Sequence, residues 1–169
     1  SNEALELDRL PQRMVIVGGG YIAVEFAGIF NSLGVDVTQV VRADTVLRGF
    51  DDDMRATLAE EMVKRGVDLR CRTVVRGIEK TDGAAFSLRL AHGEEIETDL
   101  VMYATGREPN TEGLGLEEAG VEINDKGAVA VDDYSRSSAD HIFAVGDVTG
   151  RHSLTPVAIV EGTAVARTL

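Results

Sequence analysis

The chain of 169 residues carries 17 lysines and arginines against 29 acidic residues, a net charge of -12, which argues against a general role on nucleic acid or an anionic membrane. It contains no signal segment and no apolar run long enough to span a bilayer. With a single cysteine, Cys71, it has neither a disulfide framework nor an internal redox pair, as suits a reducing cytoplasm.

Residues 1–12 are polar, include Pro11, and read as a linker. Met14 to Val17 is an apolar run ending in Gly18-Gly19-Gly20, the pattern of a parallel strand buried on both faces. Ile22, Phe26, Ile29, Phe30 and Leu33 recur at helical spacing over 21–33, and Gly34 supplies a stop. Residues 35–41 alternate as a strand. The acidic run Asp51-Asp52-Asp53 favours a helix start, which predicts a helix over 52–65 ended by Gly66. Residues 67–98 read as short antiparallel strands with turns near Asp82-Gly83 and His92-Gly93. Residues 99–105 form a further buried strand running into Gly106. After Pro109-Asn110 the chain turns to glycine-rich loops and short strands, with a buried strand expected over Ile142–Val145 and a closing helix over 155–168.

The expected fold class is α/β: a Rossmann-like parallel sheet with helices and a small antiparallel β-meander, followed by a partial central segment. The corresponding boundaries are 1–12 for the linker, 13–109 for a dinucleotide-binding domain and 110–169 for the partial segment. Its entry module is the strand–glycine loop–helix–strand order of residues 13–41.

Gly18-Gly19-Gly20-Tyr21-Ile22-Ala23 fits the fingerprint G-x-G-x-x-G/A. Gly18 permits a tight turn, Gly20 lets a pyrophosphate approach the backbone, and Ala23 is small enough for the helix to lie on the strand. The helix N-terminus then offers free N–H groups to phosphate. Glycines also serve as plain turns; the flanking strand, helix and second strand supply the context that the dinucleotide reading requires.

An NAD site places an acidic residue at the end of the second strand, where it binds the ribose 2′-hydroxyl. Here the strand runs into Arg42, with Arg48 shortly after. Two arginines suit the 2′-phosphate of NADP(H) through charge-assisted hydrogen bonds. The alternative is a pair of surface arginines partnered by Asp44 or Asp51, and Asp44 is itself placed to bind a ribose hydroxyl.

With these residues in view, residues 17–28 (Val-Gly-Gly-Gly-Tyr-Ile-Ala-Val-Glu-Phe-Ala-Gly), Arg42 and residues 46–51 (Val-Leu-Arg-Gly-Phe-Asp) resemble the NADPH loop of glutathione reductases, within the pyridine nucleotide-disulfide oxidoreductase family. Residues 104–110 (Ala-Thr-Gly-Arg-Glu-Pro-Asn) are similar to the family's exit from the NADPH domain, and residues 142–148 (Ile-Phe-Ala-Val-Gly-Asp-Val) to its second flavin motif. Gly18, Gly20, Ile22 and Ala23 of the fingerprint are the cofactor-binding loop residues, and the resemblance implies that Arg42 and Arg48 hold the 2′-phosphate. Tyr21 would be a lid over the nicotinamide pocket, with Glu25 beside the nicotinamide. Gly106 and Arg107 would line the groove, while Asp147 and Thr155 contact FAD in the longer parent enzyme. Ala43 departs from the family pattern, standing where many relatives carry a histidine, and Ser137 replaces a threonine.

The family passes hydride from NADPH to flavin and then electrons to a disulfide between two cysteines, which one cysteine cannot form. The resemblance therefore implies a fragment that binds NADP(H) without turnover. Its missing partners would be the FAD and interface domains of a cytoplasmic, homodimeric parent acting in redox homeostasis. No metal is expected, and His92, His141 and His152 carry no assigned role. A stand-alone NADP-sensing module and the same domain of a trypanothione-type or other disulfide reductase are the alternatives; the start at a linker and the end inside a helix favour a fragment.

Overall fold

Strict alternation along β1 (Arg13–Val17) sorts the first part of the chain into three layers, because neighbouring side chains of a strand point to opposite faces. In the computed structural model, which describes residues 3–82 and 85–169, Met14 and Ile16 face one way. There they pack with Ala23, Ala27 and Phe30 of α1 (Tyr21–Ser32) and Met62 of α2 (Asp52–Lys64). Val15 faces the other way, joining Val40 of β2 (Asp36–Val40) and Leu88 of β5 (Phe86–Leu90) in a second cluster. Both faces of the sheet are thus covered, which explains why Met14, Val15 and Ile16 are all buried and why the sequence shows a continuous apolar run.

The chain divides into two units, Ser1–Gly106 and Arg107–Leu169. The first holds a four-stranded parallel sheet in the order β3-β2-β1-β7, with β3 at Asp68–Arg70 and β7 at Leu100–Tyr103. A separate antiparallel sheet, β4-β5-β6, contains β4 (Val75–Glu79) and β6 (Glu95–Thr98). The α/β class and the meander agree with the sequence reading, but residues 67–98 are not uniformly antiparallel. Asp68–Arg70 pairs in parallel with Thr38–Val40, because α2 crosses over and returns the chain in its original direction. Three residues are too short to show a burial period. Gly83, in one expected turn, lies outside the described residues. Within the lead-in, Glu3–Leu5 form a single 3-10 turn, and Ala4 and Leu7 pack on the helix-side cluster.

Residues 107–169 contain α3 (Thr155–Thr168) and a 3-10 turn at Gly146–Thr149. Side-chain-to-backbone bonds organise the loops between them. The Asn124 carbonyl accepts from the backbone of Lys126 and Ala128, and the Asp132 carboxylate from that of Tyr134 and Arg136. The strand expected over Ile142–Val145 is reduced to one bridge, Arg136 with Phe143. The opposing segment turns at Ser135 (φ 62°) and again at Ser137–Ala139, so no extended partner continues the ladder. The helix over 155–168 is present, yet it buries no residue fully and leaves Ile159 and Val160 exposed.

Arg13 and Asp99 close the first unit across 86 positions of chain. The Arg13 backbone N–H donates to Asp99 Oδ2 at 2.8 Å, its guanidinium to Oδ1 at 3.0 Å, and the buried Thr98 hydroxyl to the Arg13 carbonyl at 3.0 Å. The Arg13 guanidinium and backbone N–H hold the Asp99 carboxyl below the usual aspartate range. A depressed folded-state value stabilises above the unfolded value of about 3.9 and is lost as pH falls through the folded value. Urea midpoints should therefore decline as pH drops from about 5 towards 3, and Asp99→Asn should flatten that decline; an unchanged slope would remove this pair from the account.

Candidate functional site

The three glycines after β1 are required for three different reasons. Gly18 has φ +146°, and a Cβ there would lie 2.3 Å from the Ala104 carbonyl oxygen. A Cβ on Gly19 would lie 2.7 Å from Val41 Cγ1. Gly20, the N-cap of α1, has extended backbone (φ -80°, ψ 176°) and faces open space, with no atom within 4 Å of a built Cβ. The first two are small because protein approaches them; the third keeps the outer face of the loop clear. Ala23 is fully buried, with its Cβ 3.4 Å from the Cβ that Gly18 lacks, and Ile22 packs on the core. No side chain caps α1, so its first turn presents N–H groups and a positive dipole end, a geometry chemically suited to an anion.

The loop after β2 is fastened to the glycine loop. Gly18 N–H donates to Val40 O at 3.0 Å, and Leu47 N–H to Gly19 O at 2.6 Å, with Leu47 at φ 52°. Arg42 and Arg48 emerge from this loop exposed. Neither makes a hydrogen bond or ion pair among the described residues, because the acids that would neutralise them are held elsewhere. Asp51 caps α2, accepting from the backbone of Asp53 at 3.1 Å and Met54 at 3.2 Å. Asp44 pairs with Arg55 at 3.4 Å. The Arg55 side chain, only 12% exposed, also donates to Val46 O at 2.9 Å and Asp52 at 2.6 Å. Arg55, absent from the sequence reading, therefore braces the loop.

Gln39 is the second residue that sequence reasoning passed over. It is fully buried on β2, and its Nε2 donates to the Gly18 carbonyl at 2.9 Å, while Oε1 has no partner. An unsatisfied buried acceptor costs about 1–3 kcal/mol. The available signal was a long polar side chain inside Val37-Thr38-Gln39-Val40-Val41, where an apolar residue would suit the core.

Tyr21 and Glu25 share an exposed face of α1 with Gly28, Ile29, Ser32 and Leu33. Gly106 is exposed and open, with nothing within 4 Å of a built Cβ. In the second unit, Arg107 and Asp147, assigned by resemblance to different ligands, meet each other: Nε and Nη2 both reach Oδ2, at 2.9 and 2.8 Å. Gly146 (φ 72°) lies against Ala158 of α3 and donates its N–H to Glu161 Oε2 at 2.8 Å. Thr155 is exposed at the start of α3. Burial, and then the Asp44 charge, push the Cys71 thiol up, away from thiolate reactivity. Among the described residues, no three His, Cys, Asp or Glu side chains are grouped to hold a metal, and no helix is long and apolar enough to cross a membrane.

The glycines separate experimentally. Gly18→Ala forces a Cβ into backbone and should cost about 2–4 kcal/mol. Gly20→Ala meets no steric obstacle and should cost no more than about 1 kcal/mol, the N-cap preference of glycine over alanine. Chemical denaturation of both variants checks the pair; equal stabilities would contradict the geometry.

Residues 1–162 match the family profile described as pyridine nucleotide-disulphide oxidoreductase. Among curated proteins, the chain is 53% identical over its whole length to a glutathione reductase of Burkholderia cepacia, of which it covers 37%. It is 44% identical to a trypanothione reductase of Trypanosoma congolense, covering 35% of that protein. Among solved structures, the copper complex of the HOCl-induced flavoprotein disulfide reductase RclA of Escherichia coli superposes with a TM-score of 0.91 at 34% identity. That alignment covers 99% of this chain and 38% of RclA. The chain thus spans under two fifths of these relatives.

Proposed function

The chain belongs to the pyridine nucleotide-disulphide oxidoreductase family, and from that premise we propose that it is the NADP(H)-binding part of an FAD-dependent disulfide reductase of the glutathione-reducing type. One observation carries the cofactor choice: Arg42 and Arg48 stand exposed and, among the described residues, unpaired after β2, on a loop hydrogen-bonded to Gly19. An acid in that position would repel a 2′-phosphate, whereas guanidinium groups bind it through charge-assisted, fork-shaped contacts. Because Asp44 is drawn to Arg55 and Asp51 to the α2 cap, binding a phosphate breaks no existing ion pair of these arginines.

In this reading the pyrophosphate lies over Gly20 at the N-terminus of α1, where the absence of a Cβ admits it, with Gly18, Ile22 and Ala23 shaping the turn. Gln39 keeps the Gly18 carbonyl turned inward. Tyr21 and Glu25, one helical turn apart on the exposed face of α1, border the nicotinamide, and Gly106 and Arg107 extend the groove. Asp147 and Thr155 serve the FAD of the longer parent, and Arg107 occupies Oδ2 of that aspartate until flavin is present. NADPH supplies a hydride to that flavin in the whole reductase. With one cysteine, the present chain binds NADP(H) and does not reduce disulfides. The parent works as a cytoplasmic homodimer.

Calorimetric titration with NADPH and NADH tests the assignment. Arg42→Ala should weaken NADPH by about 1.5–3 kcal/mol and NADH little. Equal affinities of the unaltered protein for the two cofactors would refute it. The purified chain should also lack visible flavin absorbance, and a stoichiometric flavin spectrum would overturn the division of labour with the parent.

A further inference from the structure

Arg72 stands in an unusual place. It follows β3, adopts φ 52°, and donates its backbone N–H to the carbonyl of Ala43, the residue after Arg42, at 2.8 Å. Two more bonds continue the seam: Val41 N–H to Arg70 O at 2.9 Å and Thr73 N–H to Val41 O at 3.0 Å. The turn after β3 is therefore held against the turn after β2, at the edge of the sheet where parallel strands end and ligands of such folds bind.

The three arginines near this seam differ in their partners. Arg70 is engaged by Asp68 and Glu94. Arg42 and Arg72, on the two stitched turns, are exposed and make no ion pair or side-chain hydrogen bond among the described residues. Ala43, whose carbonyl joins the two turns, offers only a methyl group. In a chain of net charge -12, two exposed arginines without an ion pair on adjoining, hydrogen-bonded turns bring positive charge to one end of the sheet. The left-handed conformation of Arg72 points the same way. Asn or Gly adopts it with less strain than a long side chain, and such strain tends to mark functional positions.

We propose that Arg72 is a further specificity-determining residue, contributing a third guanidinium, beside Arg42 and Arg48, to recognition of the adenosine 2′-phosphate. The inference rests on the NADP(H) reading above and deepens it: discrimination against NADH is shared between the turns after β2 and β3. The methyl group of Ala43 puts no bulk beside the seam, and the backbone bond to its carbonyl fixes Arg72 next to the turn that carries Arg42.

Calorimetric titration of NADPH and NADH against Arg72→Asn, Arg72→Lys, Arg42→Ala and Arg48→Ala decides the matter. Asn suits the backbone conformation, so this variant removes the charge while keeping the turn. Arg72→Asn should lower NADPH affinity about tenfold with NADH unchanged, as expected for one lost charge-assisted contact. Arg72→Lys should recover part of the loss. If Arg42→Ala weakens NADPH selectively and Arg72→Asn does not, Arg72 lies outside the phosphate site and the proposal fails alone. If Arg72→Asn weakens both cofactors equally, or abolishes both, its role is to hold the turn and the proposal also fails. If Arg42→Ala and Arg48→Ala are without selective effect as well, the NADP(H) reading itself falls.

Discussion

The approach of Gly18 to Ala104 is the constraint on which the first unit depends. A Cβ at residue 18 would overlap the Ala104 carbonyl that follows β7, so only glycine fits at the end of β1. That contact places the start of α1 directly over the sheet, lets Ala23 pack at the floor, and leaves Gly20 facing outward. Gln39 then secures the same glycine from the side by taking its carbonyl. A buried amide with one unsatisfied oxygen is costly. Its presence here ties a core position to the conformation of a surface loop, so that core packing and loop geometry are set by the same few atoms.

Charge is distributed around this frame in a comparable way. The protein is strongly acidic, yet its acids are occupied where they would otherwise neutralise the basic corner. Asp51 satisfies the N–H groups of α2, Asp44 and Asp52 satisfy Arg55, and Asp68 and Glu94 satisfy Arg70. Arg42, Arg48 and Arg72, in the loops at the strand ends, are among the guanidinium groups that no ion pair engages among the described residues. An exposed ion pair contributes little to stability, so these pairs matter chiefly through what they leave unpaired.

Residues 107–169 follow different rules. Here the backbone is ordered by short polar side chains, Asn124 and Asp132, and by left-handed turns, with few buried apolar residues and a final helix that keeps Ile159 and Val160 in solvent. The local seam of Gly146 on Ala158, fixed by Glu161, shows that close packing is achieved where glycine allows it, without a large core.

The sequence by itself determined the alternation of strand and helix, the glycine fingerprint, the basic end of β2 and the family, because each depends on spacing or residue type within a short window. Helical periodicity located α1, and the acidic start and Gly66 bracketed α2. Other features required the tertiary structure, because they depend on partners distant along the chain. The direction of β3 follows from the α2 crossover, and the loss of the 142–145 strand from turns in the segment opposite it. That Arg42 and Arg48 are unpaired is decided by where Arg55 sits, nine residues from the carbonyl it braces. Gln39 looked like an odd polar residue in a strand until the fold carried Gly18 to its amide, 21 positions away.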